Sequence, residues 1–246
     1  GMGWSPKNFT IEWCRQNGVD LIPGDGYLPA TVPGVVGAWA AAVSRFGTMS
    51  FSQILQPVIE LAENGYPVYQ RMHDRLEQFS ERFRSLYPTT AAIYLPDGKV
   101  PEVGQIIRNP DFGKSMRIMC DAEDAAKSQG RVAGIEAARD AFYKGPIAKR
   151  IAEFIRENPV MDASGEAHAG LLSEEDMAEW EATIEQPVTY EYKGLDVYKC
   201  PPWTQGPVFL QQLAILKGFD LQGQGHNTTE YLHTVVESAK LAFADR

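Results

Sequence analysis

The chain has 246 residues, of which 44% are hydrophobic and 22% charged, and this composition is typical of a globular protein with a sizeable core. Its net charge of −9 and its lack of a Lys/Arg cluster argue against nucleic acid as a partner, because a phosphate backbone needs a basic surface. No apolar run approaches the roughly 20 residues that a membrane helix requires, so no membrane span is predicted.

The N-terminus shows no basic stretch followed by an apolar core, so no signal peptide is visible. Gly1 and Met2 are typical of a remnant left by an expression vector. The natural start is therefore expected elsewhere, and the compartment stays unknown. The cysteines Cys14, Cys120 and Cys200 lie far apart, without CxxC or Cys/His spacing. This pattern predicts partly buried thiols and no metal site or cofactor, with one disulfide left open.

The first part of the chain is predicted to be irregular and then helical. Residues 1–33 are rich in Gly and Pro, which favours turns over a regular element. Apolar residues then recur at helical spacing, and Ser50 with Gln53 matches a capping box at the start of the second helix. The predicted helices cover residues 34–46, 50–64, 67–84, 109–129, 134–142 and 146–156.

Two features interrupt this helical pattern. Pro57 falls inside the second helix, where it predicts either a first-turn position or a kink, because its ring removes an amide donor. Pro96, Asp97 and Gly98 form a turn signature, which predicts a short hairpin over residues 94–100.

The second part of the chain contains the predicted strands. Residues 158–170 are small and polar, which predicts a surface loop. Ser173 with Asp176 is expected to cap a short helix that ends near residue 180. Residues 183–192 and 195–200 alternate in hydrophobicity around Lys193 and Gly194, which predicts a hairpin. A helix over 207–217 follows, and Asn227 is expected to cap a last helix that is still in pattern at the chain end. The sequence therefore predicts a single domain over 1–246, mostly helical with a small β-hairpin.

Most residue patterns that could indicate a phosphate-binding or catalytic site are explained by packing or by solvent exposure. The Gly-rich segment 33–39 lacks the GxGxxG spacing of a phosphate loop, and close helix packing accounts for it. No GxSxG elbow occurs. The histidines are expected to be solvated or packed, and they are His73, His168, His226 and His233. No catalytic residue is predicted within this sequence.

The loop at residues 201–207 is the best candidate for a binding surface. It joins a strand to a helix N-terminus, where free backbone amides can hold an anion. Trp203, Thr204, Gln205 and Gly206 are the candidate substrate-binding residues, because they would line a cleft wall. A purely structural strand-to-helix turn is the alternative.

Several short sequence motifs occur in the order and with the spacing that are typical of one protein family. These motifs are Pro33-Gly34, Phe46-Gly47-Thr48, Glu63-Asn64-Gly65, Phe142-Tyr143-Lys144-Gly145, Pro201-Pro202 and Ala242-Phe243-Ala244-Asp245-Arg246. The chain resembles the large subunit of γ-glutamyltransferases, which are also called γ-glutamyltranspeptidases or glutathione hydrolases. In this family a small-residue run such as PPPSSGG usually stands where this chain has Trp203 and Thr204, so a changed cleft shape is expected.

The resemblance implies part of an αββα N-terminal-nucleophile hydrolase fold. In such enzymes the N-terminal threonine of the small subunit attacks the γ-glutamyl carbonyl, with its own amine as base. That threonine and the substrate-binding arginine of the large subunit are expected outside residues 1–246. The isolated chain is thus expected to be an inactive fragment, with the rest of its polypeptide and a γ-glutamyl compound as partners and some self-association. A cephalosporin or glutaryl acylase and a non-catalytic binding or scaffold module are the alternatives.

Overall fold

The computed structural model describes residues 3–246, so the vector remnant predicted at Gly1 and Met2 lies outside the described part. Contacts divide the chain into a first unit, Gly1–Ala182, and a second unit, Thr183–Arg246. No helix within residues 3–246 combines the length and apolar character needed to cross a bilayer.

The first unit is built mainly from helices joined by short turns. Its helices are α1 (Ile11–Gln16), α2 (Val35–Phe46), α3 (Phe51–Asn64), α4 (Gln70–Leu86), α5 (Pro88–Tyr94), α6 (Pro110–Ala125), α7 (Arg131–Tyr143), α8 (Pro146–Glu157) and α9 (Glu174–Glu179). Two antiparallel strand pairs accompany them, β1 (Tyr66–Pro67) with β2 (Ile106–Ile107) and β3 (Val160–Met161) with β4 (Ala167–His168).

Both ends of α3 lie where the local sequence predicts them. The hydroxyl of Ser50 accepts from the Gln53 amide at 3.1 Å, and the Ser50 amide donates to Gln53 Oε1 at 2.9 Å, so the predicted capping box of α3 is confirmed. Gly65 ends α3 at a φ of 101°, which favours glycine. Pro57 lies inside α3, well beyond its first turn.

Three predictions for the first unit are wrong. Residues 1–33 are not wholly irregular, because the Thr10 hydroxyl accepts from the Trp13 amide at 3.1 Å and starts α1. Residues 94–100 form no hairpin; a 3₁₀ turn at Pro96–Gly98 follows α5 instead, and Arg84 donates to the Gly98 carbonyl at 2.9 Å. Residues 158–170 contain the β3–β4 hairpin, which a buried Asp162 stabilises from within its turn.

The core of the first unit lies between α2, α3, α6, α7, α8 and α9. Tyr143 at the end of α7 is 2% exposed, stacks on Trp180 with 5.4 Å between ring centroids, and donates to the Pro33 carbonyl at 2.6 Å. The Gly37 amide in turn donates to the Tyr143 hydroxyl at 3.0 Å. A Cβ on Gly37 would overlap the Trp180 ring, so the Gly-rich segment is explained by packing, as predicted.

Replacing Tyr143 with phenylalanine is expected to lower the free energy of unfolding by about 2 kcal/mol, because the buried Gly37 amide and Pro33 carbonyl lose their shared partner. Chemical denaturation followed by circular dichroism measures the change. Tyr198→Phe is the matched control: its ring is 60% exposed and its hydroxyl bonds to nothing within residues 3–246. Equal stability of both variants would contradict the assignment.

The second unit is a hairpin covered by helices. Its elements are β5 (Val188–Tyr192), β6 (Leu195–Lys199), α10 (Gly206–Leu216), α11 (Leu221–Gln224) and α12 (Thr229–Ala244). Tyr190 pairs with Val197 in the antiparallel register, and Lys193 and Gly194 turn the chain at φ values of 50° and 86°, so the predicted hairpin is confirmed. Helix α10 packs on both strands and α12 packs on α10.

The start of the last helix differs from the prediction by one residue. Thr228, not Asn227, is the N-cap: its hydroxyl accepts from the Tyr231 amide at 3.2 Å and donates to the Gln224 carbonyl at 2.8 Å. Asn227 has a φ of 58°, a conformation that asparagine tolerates, and it turns the chain into the cap.

Candidate functional site

The loop between β6 and α10 is held by its own threonine. The Thr204 hydroxyl lies 3.1 Å from the Pro201 carbonyl and 3.2 Å from the Cys200 carbonyl, to which it can donate. The same oxygen accepts from the Gly206 amide at 3.0 Å. Thr204 therefore closes the turn from both sides, which fixes the shape of the loop before any ligand binds.

Gly206 is the point of closest approach within this loop. A Cβ at this position would overlap the Cys200 carbonyl oxygen and would come within 2.9 Å of Lys199 Cβ. The strand therefore passes directly against the first residue of α10, and only glycine fits there. This contact explains why the chain has glycine at residue 206 on packing grounds alone.

The predicted anion site at the start of α10 retains little donor capacity. The Gly206 amide is already bonded to Thr204, and Pro207 has no amide hydrogen. The Val208 amide is the next donor along the helix, and it has no partner within residues 3–246. A phosphate loop binds its anion with several converging amide donors, so a single free amide does not make an anion site of that kind.

Trp203 is positioned by a residue that sequence reasoning missed. Its indole nitrogen donates to Glu185 Oε2 at 2.6 Å, while its ring is 42% exposed. A hydrogen bond to a carboxylate is stronger than one between neutral groups, so the ring has a preferred orientation. No local sequence pattern links two residues that lie 18 positions apart on either side of the β5–β6 hairpin, which is why Glu185 was not identified.

Three of the four candidate residues line one cavity, and Trp203 does not. The cavity measures about 510 Å³ and lies entirely within the second unit. Its lining comprises Lys199, Cys200, Thr204, Gln205, Gly206, Val208, Phe209, Gln212 and Phe243. The position of Lys199 and Cys200 follows from the hairpin, since β6 leads directly into the loop, whereas nothing in the sequence indicates that Phe243 lies there.

The serine and histidine side chains that could take part in catalysis make structural hydrogen bonds instead. The carboxylate of Asp162 accepts from the Ser164 hydroxyl at 2.6 Å and lies 2.8 Å from His168 Nδ1. Ser164 and His168 each bond to this carboxylate, and no hydrogen bond joins the serine to the histidine within residues 3–246, so the two do not form a nucleophile–base pair. His73 Nδ1 lies 2.9 Å from the Pro101 carbonyl, which is a packed role of the predicted kind.

The cysteines and acidic residues show no metal-binding arrangement in the described structure. Cys14 and Cys120 are partly buried and Cys200 is exposed, and all three are free thiols. Within residues 3–246, no three His, Cys, Asp or Glu side chains come together as metal ligands.

Comparison with known proteins identifies the family of this chain. The family model described as Gamma-glutamyltranspeptidase matches residues 1–246. The chain belongs to the γ-glutamyltranspeptidase family. The resemblance stated from the short sequence motifs is therefore confirmed.

Three similar proteins each match this chain over its whole length. The glutathione hydrolase-like YwrD proenzyme of Bacillus subtilis is 32% identical over 100% of this chain and 42% of its own length. The structure of LmbA2991HD is 38% identical with a TM-score of 0.92, covering 100% of this chain and 41% of that one. A cephalosporin acylase from Bacillus halodurans is 28% identical with a TM-score of 0.80, covering 100% and 42%.

Two conclusions follow for this γ-glutamyltranspeptidase family member. The prediction of a mostly helical α+β fold of this family, with small antiparallel sheets, is confirmed. The chain spans about two fifths of the length of these three similar proteins.

Proposed function

We propose that this chain is the scaffold portion of an enzyme that transfers or hydrolyses γ-glutamyl groups of glutathione-like compounds. The observation that carries the proposal is the family match along all of residues 1–246. The relatives extend well beyond the matched part, which supports a longer protein in which this chain supplies one helical layer and a strand hairpin.

Exposed apolar side chains on α2 support contact with further protein. Val35, Trp39 and Phe46 are 49%, 46% and 76% exposed and follow one another on one face of the helix. A large apolar surface of this kind favours burial against another part of the protein. We propose that the remainder of the same polypeptide covers it, and that the isolated chain associates with itself when that remainder is missing.

The proposed chemistry needs a nucleophile from outside this chain. An N-terminal threonine would attack the γ-glutamyl carbonyl, its own amine would take the hydroxyl proton, and the amine of the donor would leave. The resulting acyl-enzyme would pass the γ-glutamyl group to water or to an amine. Residues 203–206 would contribute only a wall of the cleft, because none of them pairs a nucleophile with a base.

A cephalosporin or glutaryl acylase is the second candidate function. The 28% identical cephalosporin acylase structure covers the whole chain, and the loop carries Trp203 where small residues are usual in γ-glutamyltransferases. A bulky ring there would favour an acyl group other than γ-glutamyl.

The isolated 246-residue chain is expected to release no p-nitroaniline from γ-glutamyl-p-nitroanilide. A protein of the relatives' full length that continues into a threonine-led segment is expected to be active. Changing that threonine to alanine should lower its turnover by at least about 10⁴-fold, since the nucleophile is lost. The three proteins are compared by absorbance under identical conditions.

Substrate choice separates the two candidate functions. Faster turnover of a glutaryl amide than of γ-glutamyl-p-nitroanilide by the long protein would favour the acylase. Turnover by the purified and mass-verified 246-residue chain would contradict the scaffold role.

A further inference from the structure

The cavity of the second unit has a basic side chain and no acidic one on its lining. The chain carries 32 acidic and 23 basic residues, yet the cavity lining includes Lys199 and no acidic side chain. Within residues 3–246, no carboxylate lies within ion-pair distance of Lys199, whereas Lys217 on the same unit is paired with Glu191 at 2.6 Å. A free ammonium group therefore remains available at the cavity.

Lys199 is also oriented with respect to the cavity. Its ammonium nitrogen lies 5.0 Å from the ring centroid of Phe209, which is within the range of a cation–π contact. Such a contact steadies the side chain without neutralising its charge. The cation and the aromatic ring thus form one mixed surface, on which a negative group and an apolar group can bind side by side.

The rest of the lining favours an apolar body with a few polar contacts. Phe209 and Phe243 are 44% and 48% exposed, so each still has ring surface to bury. Gln205 and Gln212 add amide groups that can donate or accept. The volume of about 510 Å³ lies within the range of pockets that hold small organic molecules.

We propose that this cavity binds a small organic carboxylate with a flat apolar body. The carboxylate pairs with Lys199, and the apolar part packs between Phe209 and Phe243. This site shares Thr204, Gln205 and Gly206 with the proposed cleft wall, but it goes beyond the proposed function because it concerns binding by the chain itself and requires no turnover. A failure of the binding test would leave the proposed enzymatic role intact.

Cys200 provides a reporter within the cavity. It is an exposed free thiol on the lining, so a bound molecule should shield it from iodoacetamide. The probe is 3-phenylpropanoate, with neutral 3-phenylpropanamide as the matched ligand control. Alkylation of Cys200, followed by peptide mass spectrometry, should slow about threefold when the carboxylate is present at twice its Kd, because only free sites react. The neutral amide should protect clearly less at the same concentration.

Two lysine variants test the assigned contact. Lys199→Met should abolish the protection by 3-phenylpropanoate, measured as a ratio of rates within each variant. Lys193→Met is the matched control: Lys193 is on the same hairpin and lies 5.6 Å from the Tyr192 ring centroid, but it does not line the cavity. Protection should survive there.

Cys120, on α6, reports whether the first unit of each variant is folded, and circular dichroism spectra that match the native chain show that the second unit is folded as well. Burial raises the pKa of the Cys120 thiol, although a hydrogen bond with Ser52 opposes the shift, so its alkylation should stay slow in every folded variant. No protection of Cys200, equal protection by the neutral amide, or protection unchanged in Lys199→Met would each overturn the proposal.

Discussion

Replacing Glu123 with alanine is expected to lower the free energy of unfolding by about 4 kcal/mol. Glu123 lies on α6 and is 6% exposed. Its carboxylate accepts from the Phe51 amide at 2.7 Å, the Ser52 amide at 2.6 Å and the Ser52 hydroxyl at 2.5 Å. It thus caps the N-terminus of α3 from a different helix.

The size of the effect follows from what alanine would leave behind. Two backbone amides would be left without a partner at a largely buried helix end, at a cost of about 1–3 kcal/mol each, and the Ser52 hydroxyl would lose its carboxylate acceptor. The carboxylate also complements the positive end of the α3 dipole. Since a domain is stable by only about 5–15 kcal/mol, the first unit would approach unfolding at moderate denaturant concentrations.

Two further variants make the Glu123 measurement specific. Glu123→Gln keeps the shape and one oxygen acceptor, so about half of the loss is expected. Asp124→Ala removes the adjacent exposed carboxylate, which has no partner within residues 3–246, and should change stability by less than about 0.5 kcal/mol. Urea denaturation curves compare all three, and similar curves for Glu123→Ala and Asp124→Ala would contradict the capping role.

Asp162→Ala is expected to cost about 3 kcal/mol at pH 7 and less in acid. The Asp162 side chain is fully buried and bonds to Ser164 and His168 in the turn between β3 and β4. Burial alone would raise the Asp162 pKa, but hydrogen bonds from the Ser164 hydroxyl, His168 and the Ser164 amide hold it below its ordinary value of 3.8.

The sign of the pH dependence follows from this lowered pKa. A carboxylate whose pKa is lower in the folded state stabilises the fold above its unfolded pKa, and this contribution is lost as pH falls through the folded pKa. The stability gap between the native chain and Asp162→Ala should therefore be widest at neutral pH and should shrink below about pH 3.8.

Denaturation curves between pH 7 and pH 3 measure this gap. Asp20→Ala is the control, because Asp20 is an exposed carboxylate of the first unit with no bonded partner within residues 3–246. A gap that stays constant with pH, or that widens in acid, would contradict the assigned role of Asp162.

Ser50 and Glu123 both cap α3, but only the contact of Ser50 could be predicted from the sequence. The capping box of Ser50 and Gln53 involves residues three positions apart, so the sequence pattern predicts it directly. Glu123 completes the same helix end from 72 residues away, and its acidic neighbours in the sequence give no sign of its burial. Local hydrogen bonds are readable from residue type and spacing, whereas contacts between helices depend on the packed fold.

The same division explains the outcome at the candidate site. The strand-to-helix loop was predictable, because the prolines end a strand and the apolar spacing starts a helix. The partner of Trp203 and the aromatic side of the cavity were not, since Glu185 and Phe243 reach the site only through tertiary packing. The wrong hairpin at residues 94–100 has a local cause: Asp97 adopts a φ of 55° in a 3₁₀ turn, which the Pro-Asp-Gly signature also permits.

We propose that this chain forms the scaffold of an acyl-transferring enzyme whose nucleophile lies elsewhere in a longer protein. Trapping the acyl-enzyme tests it most directly: the long protein is mixed with γ-glutamyl-p-nitroanilide, quenched in acid and mapped by peptide mass spectrometry. A γ-glutamyl adduct is expected on a threonine outside residues 1–246, and none within them. An adduct on any residue of this chain, such as Ser164 or Cys200, would contradict it.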